Sequence, residues 1–480
     1  MEKDLEQPLA CDPDADMVRN ESEQSLLGTG SRLRLFFLMC VLTSIANFPS
    51  AFTHTSVNNA VHEFNDYLNE SFTGRELPLE NHHISLIRST INCVWYVGQV
   101  GGALASPIIC DRYGRKAAFV LSSFFVTIGA ALQFVASYFP VPELFFFGRI
   151  LAAVSSPLMD AALIIYLQEC APAAVRGSMS SLFSTGYAVT CLLGMALGQD
   201  ELLGRDLHLL LLVPLLTGAA STLYLLTIPD TPKYLAIKKK NNLAAHRSIS
   251  YFLGSSIDPV IEKEILKEEA SESSQEEDGS ILLLCSCPRM RNSLYLSLAA
   301  LVFTLPFFPI LQSSTYIYTR IGIDKTTAQS ASTALMVIFT GACFVSTSII
   351  DRFPRRKLLL TAGATSLLLL FLFPTFELIS DMPTISIAVS ALYIFIYGVG
   401  VGPVAWTIGP ELVPLNYRSA LFCVCYALHS LLVVCTNFVI IPLFDLVGTA
   451  AFPLLYSLPV GVSWCLLYMR LPETNKQQTH

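Results

Sequence analysis

Four sequence markers in the first half of the chain, two motifs and two single residues, return in the same order about 240 residues later, so the chain must fold as two like units. Asp111-Arg112-Tyr113-Gly114-Arg115-Lys116 returns as Asp351-Arg352-Phe353-Pro354-Arg355-Arg356-Lys357. Glu169 and Arg176 return, with the same spacing, as Glu411 and Arg418. Pro229-Asp230-Thr231-Pro232-Lys233 returns as Pro472-Glu473-Thr474-Asn475-Lys476. Each motif sits at the end of a hydrophobic stretch. Hydrophobic residues make up 53% of the chain and charged residues 14%, where a soluble globular chain carries roughly 25% charge. The pattern is that of a duplicated membrane unit, an arrangement common among transporters.

A helix that crosses a bilayer needs roughly 20 mostly apolar residues. Segments of that kind run over 33–56, 84–110, 117–138, 143–170, 177–198 and 207–228, then over 292–318, 326–350, 357–379, 384–411, 418–444 and 448–470. The expectation is an all-α membrane protein of twelve transmembrane helices in two pseudo-symmetric six-helix bundles. Residues 1–32 form an N-terminal tail, 33–228 the first bundle, 229–291 a linker, 292–470 the second bundle and 471–480 a C-terminal tail. Of the 30 Lys and Arg residues, 24 fall in the tails and in the loops on the termini's side. Arg75, Arg205, Arg320 and Lys325 lie on the other side, and Arg88 and Arg149 within spans. The positive-inside rule then places both termini in the cytosol, and the plasma membrane is the expected location. Asn69-Glu70-Ser71 is an N-glycosylation sequon in the long first exterior loop, which agrees with that orientation. The first thirty residues hold no apolar core for a cleavable signal, so the first span has to act as its own.

The net charge of −7 comes mostly from the tail and the linker. It leaves no footprint for nucleic acid. The cysteines lie mainly in apolar segments, as small packing residues, and Cys285-Ser286-Cys287 is too short for a zinc site. No metal cluster, nucleotide loop or nucleophile constellation emerges, so neither a cofactor nor enzymatic chemistry is expected. Gly398, Gly400 and Gly402 follow no strand and read as packing residues. The linker, with Lys238-Lys239-Lys240 and an acidic run to Asp278, reads as a solvated connection, partly helical at most.

The ordered set of motifs resembles the sugar-porter branch of the major facilitator superfamily, which includes the glucose and fructose transporters of animals. The resemblance runs over about 33–476 and is carried by the repeats above, Gly148-Arg149, Pro229 through Leu235, Gly402-Pro403, Trp406 and the Pro472-Glu473-Thr474 ending. It implies alternating access, with charged pairs holding the cytosolic ends together when the cavity faces out. The first-half set would be Asp111, Arg112, Arg149, Glu169 and Arg176. The second would be Asp351, Arg352, Arg355, Arg356, Glu411 and Arg418. Pro354 replaces the glycine of the first copy, so that turn must differ.

The substrate positions depart from the branch. Ser184 stands at the glutamine position of span 5, Phe339 at the asparagine of span 8, and His429-Ser430 where span 11 often has Asn-Trp. Span 7 reads Val302 through Pro309, and its prolines Pro306 and Pro309 should break the helix. Gln312, Ser313 and Ser314 follow as gate residues. Trp406, His54, His429 and above all Asp160, in mid-span 4, complete the candidate cavity, since charge at that depth marks function by default. The leading expectation is facilitative uniport of a hexose or related polyol, a small-molecule partner besides the bilayer. The alternatives are proton-coupled transport of a small organic acid through Asp160, and a non-transporting relative acting as a sensor.

Overall fold

The protein, a computed structural model, describes residues 28–75, 81–139, 141–254, 287–349, 353–380, 383–413 and 415–473. Every regular element among them is helical. Four helices open the chain: α1 (Thr29–Asn47), α2 (Thr53–Asn59), α3 (Val61–Thr73) and α4 (Asn81–Tyr113). Then follow α5 (Arg115–Tyr138), α6 (Pro142–Glu169), α7 (Ala173–Leu197) and α8 (Leu207–Thr227). Two short helices, α9 (Pro232–Ile237) and α10 (Asn242–Leu253), lead towards the second half. That half contains α11 (Pro288–Val302), α12 (Phe307–Arg320), α13 (Lys325–Ile349) and α14 (Arg355–Ser380). It ends with α15 (Pro383–Ile396), α16 (Gly402–Glu411), α17 (Leu415–Val447) and α18 (Ala451–Arg470).

Taken with the breaks inside them, these helices trace the twelve segments expected from hydrophobicity. Among the described residues, nine stretches are long and apolar enough to cross a membrane, and Leu182–Leu197 is a shorter apolar one. Large apolar side chains such as Phe37, Ile108, Leu223 and Leu458 stay exposed on them, as a lipid-facing surface requires. The chain is an integral, multi-pass membrane protein.

Three spans are interrupted. The first has a π turn over Phe48–Phe52, containing Pro49, whose missing amide breaks the ladder there. The seventh breaks between Val302 and Phe307, as Pro306 and Pro309 require. The tenth has a π turn over Tyr397–Val401, where the glycine-rich run lets helices approach. Gly114 takes φ 97° between α4 and α5, a value that Pro354 cannot adopt, and α14 begins directly after that proline.

The chain packs as two compact units. One includes residues 28–42, 164–182 and 229–254, and here the expectation of a solvated linker is corrected. Ala245, Ser248, Ile249, Phe252 and Leu253 form one buried face of α10, spaced as an amphipathic helix demands. Asn241 caps that helix by accepting from the Ala244 amide at 3.0 Å, and Gly254, at φ 99°, ends it. Phe252 meets Tyr166 edge-on at 6.2 Å. Residues 255–286 of the linker, including the acidic run and Cys285, lie outside the described residues.

The second unit holds the other described residues, and so most of both halves. Glycines set its closest helix approaches. A Cβ on Gly98 would lie 2.6 Å from the Ala153 Cβ, and one on Gly102 would lie 2.1 Å from the Val154 carbonyl oxygen. This Gly-x-x-x-Gly face brings α4 into backbone contact with α6.

Candidate functional site

At the end of the second unit remote from α5's start, the two halves of the chain are joined by a network of amides and hydroxyls. Asn58 on α2 presents both ends of its side-chain amide to α12. It donates to the Leu311 carbonyl at 3.0 Å and accepts from the Thr315 amide at 3.2 Å. Those two backbone groups form one rung of an α-helix, so the asparagine splices itself into the helix that Pro306 and Pro309 have loosened. Asn58 also donates to the Ser314 hydroxyl at 2.9 Å, which in turn donates to Ser332 at 2.8 Å. Asn59 accepts from the Thr315 hydroxyl at 2.6 Å and donates to the Met195 carbonyl at 2.7 Å. Gln329 donates to the Asn59 carbonyl at 2.8 Å and to Asp200 at 2.7 Å.

An ion cluster covers this network. Lys325, the first residue of α13, lies 2.9 Å from Glu63 on α3 and 2.7 Å from Asp200 in the α7–α8 connection. Burial alone would raise the Asp200 carboxyl, but hydrogen bonds from Gln329 and Lys325 outweigh it and hold the group below its ordinary value. Three segments of the first half are thereby fastened to α12 and α13 of the second.

Deeper in the same unit, Gln312 donates to the Tyr96 hydroxyl at 2.6 Å and accepts from Asn437 at 3.2 Å, linking α12 to α4 and α17. Gln312, Ser313 and Ser314 are buried. They belong to the closed seam between halves. His429 also lies in the interior, 2.8 Å from the Thr304 hydroxyl through Nε2. Thr304 has one proton and donates it to the Leu301 carbonyl at 2.7 Å. The imidazole Nε2 must therefore be the donor, which leaves Nδ1 as an acceptor. Trp406 packs on this ring at 5.1 Å and Phe308 at 5.5 Å. In span 7, Phe307 stacks on Tyr397, with centroids 4.0 Å apart and planes 5° apart.

Asp160 is half-buried on α6. Ser184 is half-buried on α7. The side chains of His54, Asp111, Arg176, Glu411 and Arg418 lie outside the described residues, as do Asp351 and Arg352 altogether.

Some residues of the expected charge networks have described partners. In the first unit, Glu169 accepts a short hydrogen bond from the fully buried Thr231, so one repeat motif closes on another. Tyr166 donates to the Pro229 carbonyl at 3.1 Å and Ser248 to the Asp230 carbonyl at 2.6 Å, which pin the same turn. In the second unit, Arg356 donates to the Tyr468 carbonyl at 2.8 Å, and its amide donates to Glu473 at 3.4 Å. Arg112 is exposed, with its guanidinium 5.6 Å from the Tyr113 ring, and Arg355 is half-buried at the start of α14. Arg149 requires a correction. It lies near the Pro142 end of α6, twenty residues from Glu169, fully buried, with Asn92 at 3.4 Å and the Phe145 ring at 5.7 Å. It cannot join a network at the other end of the helix.

Thr231→Val should lower thermal stability by a few degrees, because a hydrogen bond to a charged group contributes about 1.5–3 kcal/mol. Thr231→Ser should keep it. A melting curve of the valine variant in detergent that overlays the native one would refute this role.

Asn69 sits half-buried on α3. Arg75 just beyond that helix forms a two-pronged pair with Glu143, Nη2 to Oε2 at 2.9 Å.

Known proteins share this architecture. Residues 36–480 match the family described as sugar (and other) transporter. The facilitated glucose transporter member 7 of solute carrier family 2 from Homo sapiens is 27% identical over 463 residues, covering 92% of this chain and 88% of its own. Member 2 from Gallus gallus is 27% identical over 419 residues, with 84% and 76% covered. Among solved structures, a D-xylose–proton symporter superimposes with TM-score 0.71 at 14% identity, over 93% of this chain and 99% of its own. The xylose transporter XylE from E. coli, in an inward-open conformation, gives 0.70 at 16%, with 92% and 98% covered. The chain is a membrane transporter of the major facilitator fold and belongs to the sugar (and other) transporter family.

Proposed function

We propose that the protein moves a hexose or related polyol by alternating access, as a uniporter, with both termini in the cytosol. The observation that carries this reading is the seam between halves. Its inner part is made of neutral amides and hydroxyls, Gln312, Asn437, Asn58 and Asn59, of the type that exchange hydrogen bonds with a polyol. Its outer part, around Lys325, is an ion cluster able to part and reform. On the proposed orientation that end faces the exterior, and the closed seam belongs to a carrier whose cavity opens inward. The relatives named as facilitated glucose transporters favour the hexose, and the absence of a carboxylate from span 1 favours uniport over proton coupling.

Uptake of labelled glucose and fructose into proteoliposomes tests this. The expected result is saturable flux with the same rate in the presence and absence of a pH gradient. Flux that appears only with the gradient would support proton coupling instead. Binding with no flux would make the protein a sensor.

A further inference from the structure

Arg88, on α4, is a cation inside a span of the first half, and it is 5% exposed. A charge so placed is costly and marks a functional site by default. Its guanidinium carbon lies 3.7 Å from the centroid of the Tyr316 ring on α12, an approach possible only over the face of the ring. The Tyr316 hydroxyl donates to Asp445 Oδ1 on α17 at 2.6 Å. Arg320, the last residue of α12, donates to the same oxygen at 3.3 Å. The tyrosine therefore carries a cation of the first half on its face, while a carboxylate of the second half holds its hydroxyl.

The two contacts reinforce each other. Donation to a carboxylate draws the hydroxyl proton outward and leaves the ring richer in electrons, so the cation on its face is held more firmly. Arg320 keeps the carboxylate in place for the hydroxyl. The arrangement shares no residue with the Lys325 cluster, and it closes a different side of the seam, where α4 meets α12 and α17. Five residues further along α4, Cys93 donates to the Val434 carbonyl of α17 at 3.4 Å and is 5% exposed. The two helices are thus in contact there as well. For packing alone, an aliphatic side chain at position 88 would fill the space without desolvating a charge. A guanidinium differs in having two favourable places, on the ring when the seam is closed and in water when it is open.

We propose that Tyr316, braced by Asp445 and Arg320, is the positioning residue of a second latch, which holds Arg88 and sets how often the seam parts between α4 and α17. This rests on the alternating-access reading above.

The test is alkylation of the native Cys93 by a hydrophilic maleimide in the solubilised full-length protein, read on its own peptide by mass spectrometry. The reaction should be slow in native protein and about tenfold faster in Tyr316→Leu, the scale of one desolvated cation–π contact. Arg88→Met should react at the same rate as Tyr316→Leu, and the double variant no faster than either, because all three lack the one contact. Tyr316→Phe keeps the ring without the hydroxyl and should fall between. Cys110, 1% exposed towards the other end of α4, is the internal control, and its rate should not change. Cys93 reacting at the native rate in Tyr316→Leu and Arg88→Met would overturn the latch, and so would Cys93 and Cys110 quickening together, which is general loosening. Tyr316→Phe removes a single oxygen, so it stays informative where the larger changes fail to fold, and a native rate in it would overturn the bracing by Asp445. Glucose uptake by the native protein is measured alongside. Its absence would overturn the hexose reading, while the cysteine rates decide the latch without any substrate.

Discussion

Replacing Lys325 with methionine should release the seam between halves at its charged end. The lysine pairs with both Glu63 and Asp200, the three side chains being 33%, 20% and 13% exposed respectively. Exposed pairs of this kind contribute at most about 1 kcal/mol, whereas breaking a buried pair costs about 3–5 kcal/mol. The partial burial puts the cluster between these, near 2 kcal/mol, which is a shift of about thirtyfold in a two-state equilibrium. Without the lysine, two carboxylates are left facing each other, so the change repels as well as failing to attract. Hydrogen exchange of the amides in α2 and α12 should quicken by that factor, and Lys325→Arg should restore protection. Unchanged exchange in Lys325→Met would show that the amides of Asn58 and Asn59 hold the seam alone.

The pH dependence of the same seam follows from Asp200. Its carboxyl is held below the ordinary value when the seam is closed, so the closed form binds the proton less well than the parted one. The stabilisation is therefore complete above the carboxyl's free pKa and is lost only as pH falls through its depressed value in the closed form. The Asp200 contribution to exchange protection of the seam should be flat across neutral pH and decline only in strong acid.

The parts of the architecture that depend on local chain properties were legible. Twelve spans follow from the length of apolar runs, and the break in span 7 follows from two prolines. The π turn in span 1 had a visible cause in Pro49, but a single proline also fits an unbroken, kinked helix. The linker's charge runs have the composition of a solvated connection, whereas the i, i+3, i+4, i+7 spacing of Ala245, Ser248, Ile249 and Phe252 marks a packed helix.

The site was less legible, because its partners come from distant segments. Gln312, Ser313 and Ser314 stood out by their polarity at the outer end of span 7. Their partners Asn58, Tyr96 and Asn437 had no local signal to separate them from other polar residues in a helix. Lys325 did carry one. It is one of four basic residues on the side the positive-inside rule should leave poor in charge, and it proves to be an ion-pair residue holding two acids. Arg149 was misplaced for a related reason. It was grouped by motif with Glu169, while its position seven residues into a helix that ends at Glu169 already set it in the opposite half.

Gly102→Ala, a single added methyl group, should prevent the protein from attaining its native packing. The new Cβ would stand 2.1 Å from the Val154 carbonyl oxygen, 3.0 Å from its carbon and 3.1 Å from the Pro157 Cδ. Two of these three atoms are backbone and the third belongs to a rigid ring, so no rotamer change can make room. The helices would have to move apart along the whole face that Gly98 shares. Overpacking of this severity costs about 3 kcal/mol or more, and in lipid no hydrophobic force pulls the helices back together. The control is the neighbouring residue. Gly101 meets nothing within 4 Å, so Gly101→Ala adds only helix propensity, worth up to about 1 kcal/mol in the favourable direction. Size-exclusion profiles and melting curves in detergent should separate the two variants. Gly101→Ala should be monodisperse and at least as stable as the native protein, and Gly102→Ala should be aggregated or melt several degrees lower. Identical behaviour of the two would mean that α4 and α6 do not meet through the Gly98–Gly102 face.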